Sequence, residues 1–521
     1  MNADERPAPS SQDDGHIGRR RFLTGAAAVT GGAVIPWSPH SAHAAPAGEG
    51  IHGVRLRGIN LTAKNRLAEG RFGAMFKGLP AFAPRDDLLE RLARTMVEDQ
   101  TVPDESHLNT SPRLSAGFTF IGQFIDHDIT FDDTPLDLQQ DDPDARINFR
   151  TPRFDLDSVY GRGPAKEPRF YDPDDRDKLL VTRNVHGVRD MARNGNRAII
   201  PEHRNDQNLI LVQLHLAVVR FHNQLVDHVR ERGTPRAAVF EKARRLTRWH
   251  YQWAVIHDFL PRIVGDDLVG PNGTVYRQVA GTRPAINLDF YRPTNKRGRP
   301  FMPIEFAVAA YRFGHSTIRP FYVINETTLD RGGVPVFGPK GGFNLNGDRP
   351  IPPDLVMDWK NILPADPDFP ARRPRKLDTN LSLPLTSLPE HVVPPPDLMV
   401  HLAERNLLRG KRVGLPSGQR IATAMGVKPL SNSALGLSKN PDWDGQAPLW
   451  YYILKEAELP PYDAERLGPV GGRIVAEVLV GLLQRDRDSY LSVNAWTPTP
   501  PIAPAPGRFG FVDLLRYAGA A

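Results

Sequence analysis

The chain has 521 residues, no cysteine, and 66 basic against 60 acidic residues, for a net charge of +6. This length can form a large hydrophobic core, and the lack of cysteine excludes disulfides and thiolate ligands to metals or haem. No Lys/Arg block of the length that grips nucleic acid follows the N-terminal region. We therefore expect a globular protein that does not bind nucleic acid.

The N-terminal segment has the layout of an export signal. Residues 19–23 read RRRFL, a weakly apolar run rich in Gly, Ala and Thr covers 25–35, and AHA at 42–44 is a small-x-small cleavage pattern. This predicts a twin-arginine signal peptide over 1–44 and a secreted protein; the alternative is a disordered tail with chance arginines. The run is too short and glycine-rich to span a bilayer, so we expect no integral membrane span.

Helical periodicity dominates the rest of the chain. Apolar residues recur at helical spacings in segments 113–129, 207–232, 236–263, 302–314, 397–410, 417–425, 447–458 and 471–485. Strand-like alternation is short, as at 318–324, and Pro- and Asp-rich loops cover 131–153, 326–353, 363–396 and 493–507. No repeat or shift in composition marks a domain break. The pattern predicts a mainly α fold, one large domain with long irregular loops and little β structure.

The first stretch with chemical content is FIGQFIDHD, residues 120–128. On a helix, Gln123, Asp126 and His127 can share one face, whereas Asp128 is turned about 100° from His127 and should serve a different neighbour. An imidazole between two carboxylates in an apolar helix is unusual, because each buried charge needs a partner. The stretch is either a functional site or a solvated polar patch.

The second stretch, TPRFDLDSVYG, offers hard oxygen ligands. Thr151, Asp155 and Asp157 alternate along it, and the carbonyl of Arg153 falls between them. Oxygen ligands of this kind suit calcium. A short D-x-D is also common in exposed acidic loops, so the alternative is a loop without a metal.

Three further places carry single candidates. Arg204 stands just before a long amphipathic segment, where it could project into a cavity. His315 follows a helical run and precedes a turn that contains proline, and Asn406 and Arg409 lie on a predicted helix. Each also fits an ordinary structural role.

Together and in this order, the stretches resemble the animal-type haem peroxidases over most of residues 105–485. GQFIDHD at 122–128 resembles the distal signature of that family. The resemblance implies that His127 is the acid–base catalyst, that Asp126 can form an ester with a haem methyl, and that Asp128 binds calcium. Residues 151–157 resemble the calcium loop of the family, which implies Thr151, Arg153, Asp155 and Asp157 as further ligands.

The proximal and arginine motifs are also matched. RFGH at 312–315 resembles the motif whose histidine binds the haem iron, here His315, and Asn406 matches its asparagine partner. The family's catalytic arginine lies sixteen residues before the arginine of R-E-H-N; this chain reads RFHN at 220–223, which places that role on Arg204.

The resemblance implies a secreted peroxidase with haem b and structural calcium. Such an enzyme reduces hydrogen peroxide through a ferryl intermediate and then oxidises small electron donors, either phenols and other aromatics or halides and thiocyanate. His315 would donate its second ring N–H to the Asn406 side-chain oxygen. Gln123 would be a distal hydrogen-bond donor, and Arg312 and Arg409 would pair with the haem propionates.

Two departures from the family bear on the covalent attachment of haem. Gln207 stands where mammalian relatives carry a second ester-forming glutamate, and Asn208 stands where one of them carries a sulfonium-forming methionine. An amide does not readily form an ester. We therefore expect one covalent bond to haem at most, through Asp126.

These inferences divide the chain into a signal peptide (1–44), an N-terminal extension packing on the domain (45–104) and a peroxidase domain (105–521). Two alternatives remain. A fatty-acid dioxygenase of the same superfamily would need a tyrosine three residues before the proximal histidine, where this chain has Arg312; Tyr311 is one place off and expected on a different helix face. A secreted adhesion or matrix-binding protein could use the same fold without turnover.

Overall fold

The computed structural model describes residues 72–99, 101, 106, 109–131, 148, 150–279, 281–293, 300–390, 392–393, 399–493 and 495–521. The predicted signal peptide, residues 45–71 of the predicted extension and most of the predicted loop 131–153 lie outside these residues. The described residues fall in one compact unit, Trp37–Ala521.

Helices form most of the regular structure in the described part of the chain, as the periodicity predicts. In chain order the α-helices are α1 (Asp86–Thr95), α2 (Gly117–Ile129), α3 (Asp157–Tyr160), α4 (Leu209–Glu231), α5 (Val239–Ala254), α6 (Leu260–Val264), α7 (Glu326–Asp330), α8 (Leu402–Arg412), α9 (Gly418–Ala424), α10 (Leu449–Glu458), α11 (Pro469–Arg485) and α12 (Phe511–Tyr517). The fold is mainly α, as expected.

The strands of the described residues are short and form two-stranded sheets. The antiparallel pairs are β2 (Val181–Arg183) with β3 (Arg189–Met191), β4 (Arg193–Asn194) with β5 (Arg197–Ala198), β6 (Tyr276–Arg277) with β7 (Ala285–Ile286), and β9 (Phe321–Tyr322) with β10 (Val334–Pro335). A parallel pair joins β1 (Phe72–Gly73) to β8 (Met302–Pro303).

Helix α4 runs through the core. The Asn208 side chain caps its first turn by accepting hydrogen bonds from the N–H groups of Ile210 and Leu211. The helix packs against α2, α5 and α12. By length and composition it could cross a membrane, but 83% of its most apolar window is buried inside the protein. It is a core helix, and the described residues hold no clear membrane span.

Two predicted helices are interrupted. Segment 236–263 is broken by a π-helical turn, Val255–Phe259, just before Pro261 in the first turn of α6. Proline lacks an N–H and its ring displaces the carbonyl four residues earlier, so the wider turn accommodates it. Segment 302–314 is not one α-helix: after β8 it continues as a π turn, Glu305–Ala309, and a 3₁₀ helix, Ala310–Thr317.

The buried Glu305 anchors this second irregular segment. Its carboxylate accepts hydrogen bonds from the backbone N–H groups of Met75 and Phe76, next to β1. Non-α turns of this kind often lie at functional sites. Here the irregular segment carries His315 to the wall of a cavity.

Candidate active site

A cavity of about 320 Å³ lies between α2 and the segment that contains residues 310–317. Seven of the residues singled out from the sequence line it: Gln123, Asp126, His127, Arg204, Arg312, His315 and Arg409. Residues far apart in the sequence therefore meet at one concave surface, the usual form of a small-molecule site.

His127 enters the cavity from α2 and is only 6% exposed. Its Nδ1 atom lies 2.8 Å from the Oδ1 atom of Asn205. Burial, reinforced by the positive charge of Arg204, lowers the pKa of His127 to about 3. The imidazole is therefore neutral at neutral pH and can accept a proton.

Arg204 lies in the 3₁₀ turn just before α4, and several acceptors hold its guanidinium. It donates to the Glu202 carboxylate at 2.9 Å and to the backbone carbonyls of Thr130 at 2.7 Å and His127 at 3.1 Å. Burial opposes ionisation of Glu202, but Arg150, 2.6 Å away, and Arg204 together hold its pKa well below the ordinary value. A fixed positive charge is thus placed beside His127.

The second cavity histidine, His315, is held from behind by Asn406, which is buried in α8. The Asn406 Nδ2 atom lies 2.8 Å from His315 Nδ1, and its Oδ1 accepts a hydrogen bond from Arg312 at 3.2 Å. Trp450 stands edge-on to the imidazole with ring centroids 6.4 Å apart. Burial, then the charges of Arg312 and Arg409, lowers the pKa of His315 to about 3.

This amide orientation differs from the one expected from the sequence. We expected the Asn406 oxygen to face His315 Nδ1; instead the amide nitrogen faces it. The reason is Arg312, which has only N–H donors and takes the amide oxygen.

The cavity fits a haem group. The two imidazoles come from separate segments, and Nδ1 of each is engaged by an amide, which leaves Nε2 for ligands in the cavity. A Cβ atom added to the cavity-lining Gly314 would meet no atom within 4 Å, so open space adjoins His315. Arg312 and Arg409 also line the cavity and are cationic side chains of the kind that pair with carboxylates.

Asp126 also lines the cavity, half-buried, and its Oδ1 accepts a hydrogen bond of 2.8 Å from the Thr130 hydroxyl. Burial raises its pKa. Gln207 and Asn208 are not among the lining residues, and the Asn208 side chain is occupied in capping α4.

Behind α2, three carboxylates form a buried cluster. One oxygen from each of Asp128, Asp155 and Asp157 lies within 4.8 Å of the others. Burial and the two neighbouring carboxylates raise the pKa of Asp128 well above its ordinary value. Ser158 donates to Asp128 at 2.8 Å, and Arg150 lies 3.3 Å from Asp157. Like charges packed so closely are costly, and hard oxygen atoms of this kind are the ligand type that calcium prefers.

The loop that supplies these carboxylates is tightly wound. The Thr151 hydroxyl donates to Asp155 at 3.1 Å, and the N–H of Arg153 donates to the Thr151 carbonyl at 2.7 Å. Leu156 adopts a left-handed backbone conformation, with φ of 55°, which is uncommon for a residue with a side chain. The loop thereby brings its carboxylates toward Asp128, on the side of α2 away from the cavity.

Tyr311 corrects one expectation from the sequence. It was expected on a different face from the cavity, yet it lines the cavity, because all five residues 311–315 run along its wall. Its ring stacks on Phe306 with centroids 4.7 Å apart, and its hydroxyl donates to the Gly122 carbonyl at 3.3 Å.

Sequence reasoning missed the residues that hold the candidate side chains in place. These are Arg150, Glu202, Asn205, Ser158 and His215. Four of them stand within two residues of a residue singled out from the sequence: Glu202 and Asn205 flank Arg204, Arg150 precedes Thr151, and Ser158 follows Asp157. Only His215 becomes a neighbour of the site through tertiary packing alone.

Comparison with known proteins gives one family. The model of the animal haem peroxidase family matches residues 133–434. Thyroid peroxidase of Sus scrofa is 25% identical over 394 residues, which cover 66% of this chain and 38% of that protein. Thyroid peroxidase of Homo sapiens is 24% identical over 411 residues, covering 69% and 39%. The chain thus spans about two fifths of the length of these relatives.

Solved structures agree in fold. Peroxidase A from Dictyostelium discoideum aligns with a TM-score of 0.57 at 16% identity, covering 85% of this chain and 91% of that one. Fatty acid alpha-dioxygenase from Oryza sativa aligns with a TM-score of 0.53 at 13% identity, covering 81% and 79%. The dioxygenase shares the fold alone. Because the family model covers more than half of the sequence, this chain belongs to the animal haem peroxidase family.

Proposed function

We propose that the protein is a haem peroxidase that reduces hydrogen peroxide and oxidises small electron donors. The observation that carries the proposal is the meeting of His127, Arg204 and His315 at one cavity. When bound there, haem would supply the electrons that reduce peroxide to water. His315 Nε2 would hold the iron, and membership of the family implies that the cofactor is haem.

On the distal side, His127 would act first as a base and then as an acid. Its neutral imidazole takes a proton from the bound peroxide and returns it to the departing oxygen. Arg204, held by Glu202 and two carbonyls, stabilises the negative charge that develops on that oxygen. Gln123 would donate a hydrogen bond to water or to a halide.

On the proximal side, His315 holding iron through Nε2 would carry its proton on Nδ1, which would then need an acceptor. A half-turn of the Asn406 amide would present its oxygen to His315. That turn releases Arg312 from the amide oxygen, and we propose that Arg312 and Arg409 then pair with the haem propionates. A neutral amide leaves the imidazole less electron-rich than a carboxylate partner would.

We further propose calcium at the carboxylate cluster and one ester bond, through Asp126. Calcium would neutralise Asp128, Asp155 and Asp157 and fix α2, the helix that carries His127. Thr151 and the Arg153 carbonyl are proposed as additional ligands. The double arginine at 19–20 and the pattern that follows it support export and a secreted enzyme, with 45–104 as an extension and 105–521 as the peroxidase domain.

The test is peroxide-dependent oxidation of guaiacol by the purified haem-loaded protein. Wild type should turn over guaiacol, His127→Leu should lose at least about 100-fold in kcat/KM for peroxide while retaining haem, and the exposed control His186→Ala should match wild type. A haem-loaded wild type without activity toward any donor would indicate the adhesion alternative.

The second candidate is fatty-acid oxygenation, which the cavity position of Tyr311 and the fold shared with alpha-dioxygenases favour. Oxygen uptake with palmitic acid and no reducing donor distinguishes the two activities. Under the peroxidase proposal, palmitic acid causes no uptake and Tyr311→Phe keeps guaiacol turnover. Palmitic-acid oxygenation that Tyr311→Phe abolishes would replace the proposal.

A further inference from the structure

Behind His127 lies a buried chain of three polar side chains. His127 Nδ1 is 2.8 Å from Asn205 Oδ1, and Asn205 Nδ2 is 3.1 Å from His215 Nδ1. Asn205 is fully buried and His215 is 1% exposed. The proposed reaction assigns no role to either residue.

The atom types fix where the protons lie. An amide oxygen only accepts a hydrogen bond and an amide nitrogen only donates. His127 Nδ1 therefore carries a proton and Nε2 is left with a free lone pair toward the cavity. His215 Nδ1 must be the unprotonated nitrogen, and its Nε2 carries the proton without a hydrogen-bond partner among the described residues.

A flipped amide would reverse every assignment. With the Asn205 nitrogen toward His127, the proton of His127 would sit on Nε2 and point into the cavity. That tautomer cannot accept a proton from a bound molecule. The amide orientation is thus coupled to the tautomers of both histidines, and in the orientation of this structure His215 Nδ1 is the acceptor for the Asn205 amide nitrogen.

Backbone geometry makes Asn205 well placed for this task. It follows Arg204 in the same 3₁₀ turn, so two consecutive residues of one turn bind His127. Arg204 binds the backbone carbonyl of His127, while Asn205 binds its ring. On the far side, His215 is fixed in α4 and meets the Phe124 ring with centroids 6.2 Å apart.

We propose that Asn205 and His215 are positioning residues that keep His127 in the tautomer with a free Nε2 atom. The inference rests on the proposed role of His127 in the peroxide reaction. Neither residue touches the cavity, so both act through His127.

The experiment measures two rates by stopped flow on the ferric haem-loaded protein: the reaction with hydrogen peroxide and the association of cyanide. Hydrogen cyanide must give up its proton to a base when it binds, so its association reports on His127 without turnover. Asn205→Leu and His215→Phe should slow both rates about tenfold or more. His215→Asn, whose side-chain oxygen takes the place of Nδ1, should restore both rates.

Controls separate a positioning role from a loss of folding. His250→Phe removes another buried histidine, whose Nδ1 bonds to the Leu246 carbonyl, and should leave both rates unchanged. In the His127→Leu background, Asn205→Leu should cause no further loss, since the two residues act as one unit.

The outcomes distinguish this inference from the proposed function. Normal rates in His127→Leu would overturn the role of His127 itself. Slow rates in His127→Leu with normal rates in both Asn205→Leu and His215→Phe would overturn the positioning role alone. Failure of His215→Asn to restore the rates would overturn the part assigned to His215.

Discussion

Arg204, which lies beside His127 in the cavity, makes several contacts that hold its guanidinium in place. Arg204 is fixed by a carboxylate and two carbonyls, and Glu202 is fixed in turn by Arg150. A charge held in this way needs no rearrangement when the transition state forms. The position of the Arg204 guanidinium therefore depends on a buried ion-pair network that includes Glu202 and Arg150.

Replacing Arg204 tests this network. Arg204→Leu should lower the second-order rate constant for hydrogen peroxide about 100-fold, because a preorganised charge at the developing negative oxygen is lost. Glu202→Gln, which keeps the guanidinium but loosens it, should cause a smaller loss. Stopped-flow absorbance gives both values. Equal rates in wild type and Arg204→Leu would assign the charge stabilisation elsewhere.

The proposed covalent attachment of haem depends on Asp126, Gln207 and Asn208. Asp126 lines the cavity, whereas Gln207 and Asn208 do not. We expect a mixture of extractable and singly linked haem after exposure to peroxide, and only extractable haem in Asp126→Asn. Acid–organic extraction with mass spectrometry counts the bonds, and doubly linked haem would refute this assignment.

Because we expect one covalent haem bond at most, the range of electron donors that the protein oxidises should also be limited. Ester and sulfonium bonds withdraw electrons from the macrocycle and raise its oxidising power. We expect oxidation of phenols and iodide and little of chloride. A halide series at mildly acidic pH measures this, and comparable rates for chloride and iodide would contradict it.

At the scale of elements, helix α2 presents different groups on its two sides. His127 faces the cavity and Asp128 faces the 151–158 loop, so a cation bound behind the helix would fix the residue in front of it. Under the calcium proposal, the order of the loop and the helix depends on neutralising three buried carboxylates.

Calcium removal tests that dependence. Excess calcium should raise the melting temperature of wild type above its value in chelator. At a calcium concentration of a hundred times the dissociation constant, the free energy of unfolding should increase by about 3 kcal/mol. Asp155→Asn should lose the response and, in chelator, be at least as stable as wild type, because one of three repelling charges is gone. The exposed control Asp174→Asn should behave as wild type. A calcium response retained in Asp155→Asn would place the ion elsewhere.

The contact between α10 and the start of α11 is expected to depend on pH. The buried Glu456 accepts hydrogen bonds from the N–H groups of Val470 and Gly471, and burial raises its pKa to about 7. Since the unfolded pKa is about 4.3, the folded state binds more protons between these values. Stability from this group is complete below about pH 4 and falls as pH rises through 7.

Glu456→Gln should remove this loss. Between pH 5 and 8, wild type should lose up to about 3 kcal/mol of unfolding free energy relative to the variant. Urea unfolding at several pH values measures the difference, with the exposed Glu231→Gln as control. Parallel stability curves for wild type and Glu456→Gln would show that Glu456 is already ionised at pH 5.

Across the whole molecule, sequence periodicity located the long helices but not the irregular ones. The segment 207–232 became α4 (Leu209–Glu231) because a continuous apolar face fixes a core helix. The segment 302–314 did not form one helix, since periodicity does not reveal a π turn whose Glu305 is bound to a distant backbone. Helix α1, ten residues long, was not predicted; it buries Leu88, Leu89 and Leu92 and packs on α8.

The start of α2 shows a similar limit. Helix was predicted from 113, but α2 begins at Gly117, where a Cβ atom would lie 2.5 Å from Leu363. That close approach is a tertiary constraint without a local pattern. The same holds for the site: motifs point to His127 and His315, while the contacts of Asn205 and His215 depend on how α2 and α4 pack.

The central claim is that His315 holds a haem iron in this cavity, and replacement of its side chain by a free ligand tests it most directly. In His315→Gly the absorption spectrum of the purified protein should show little bound haem and guaiacol turnover should fall sharply. Added imidazole, which fits the space left by the side chain, should restore both the Soret band and part of the turnover. Unchanged haem content, spectrum and turnover in His315→Gly without imidazole would contradict the account.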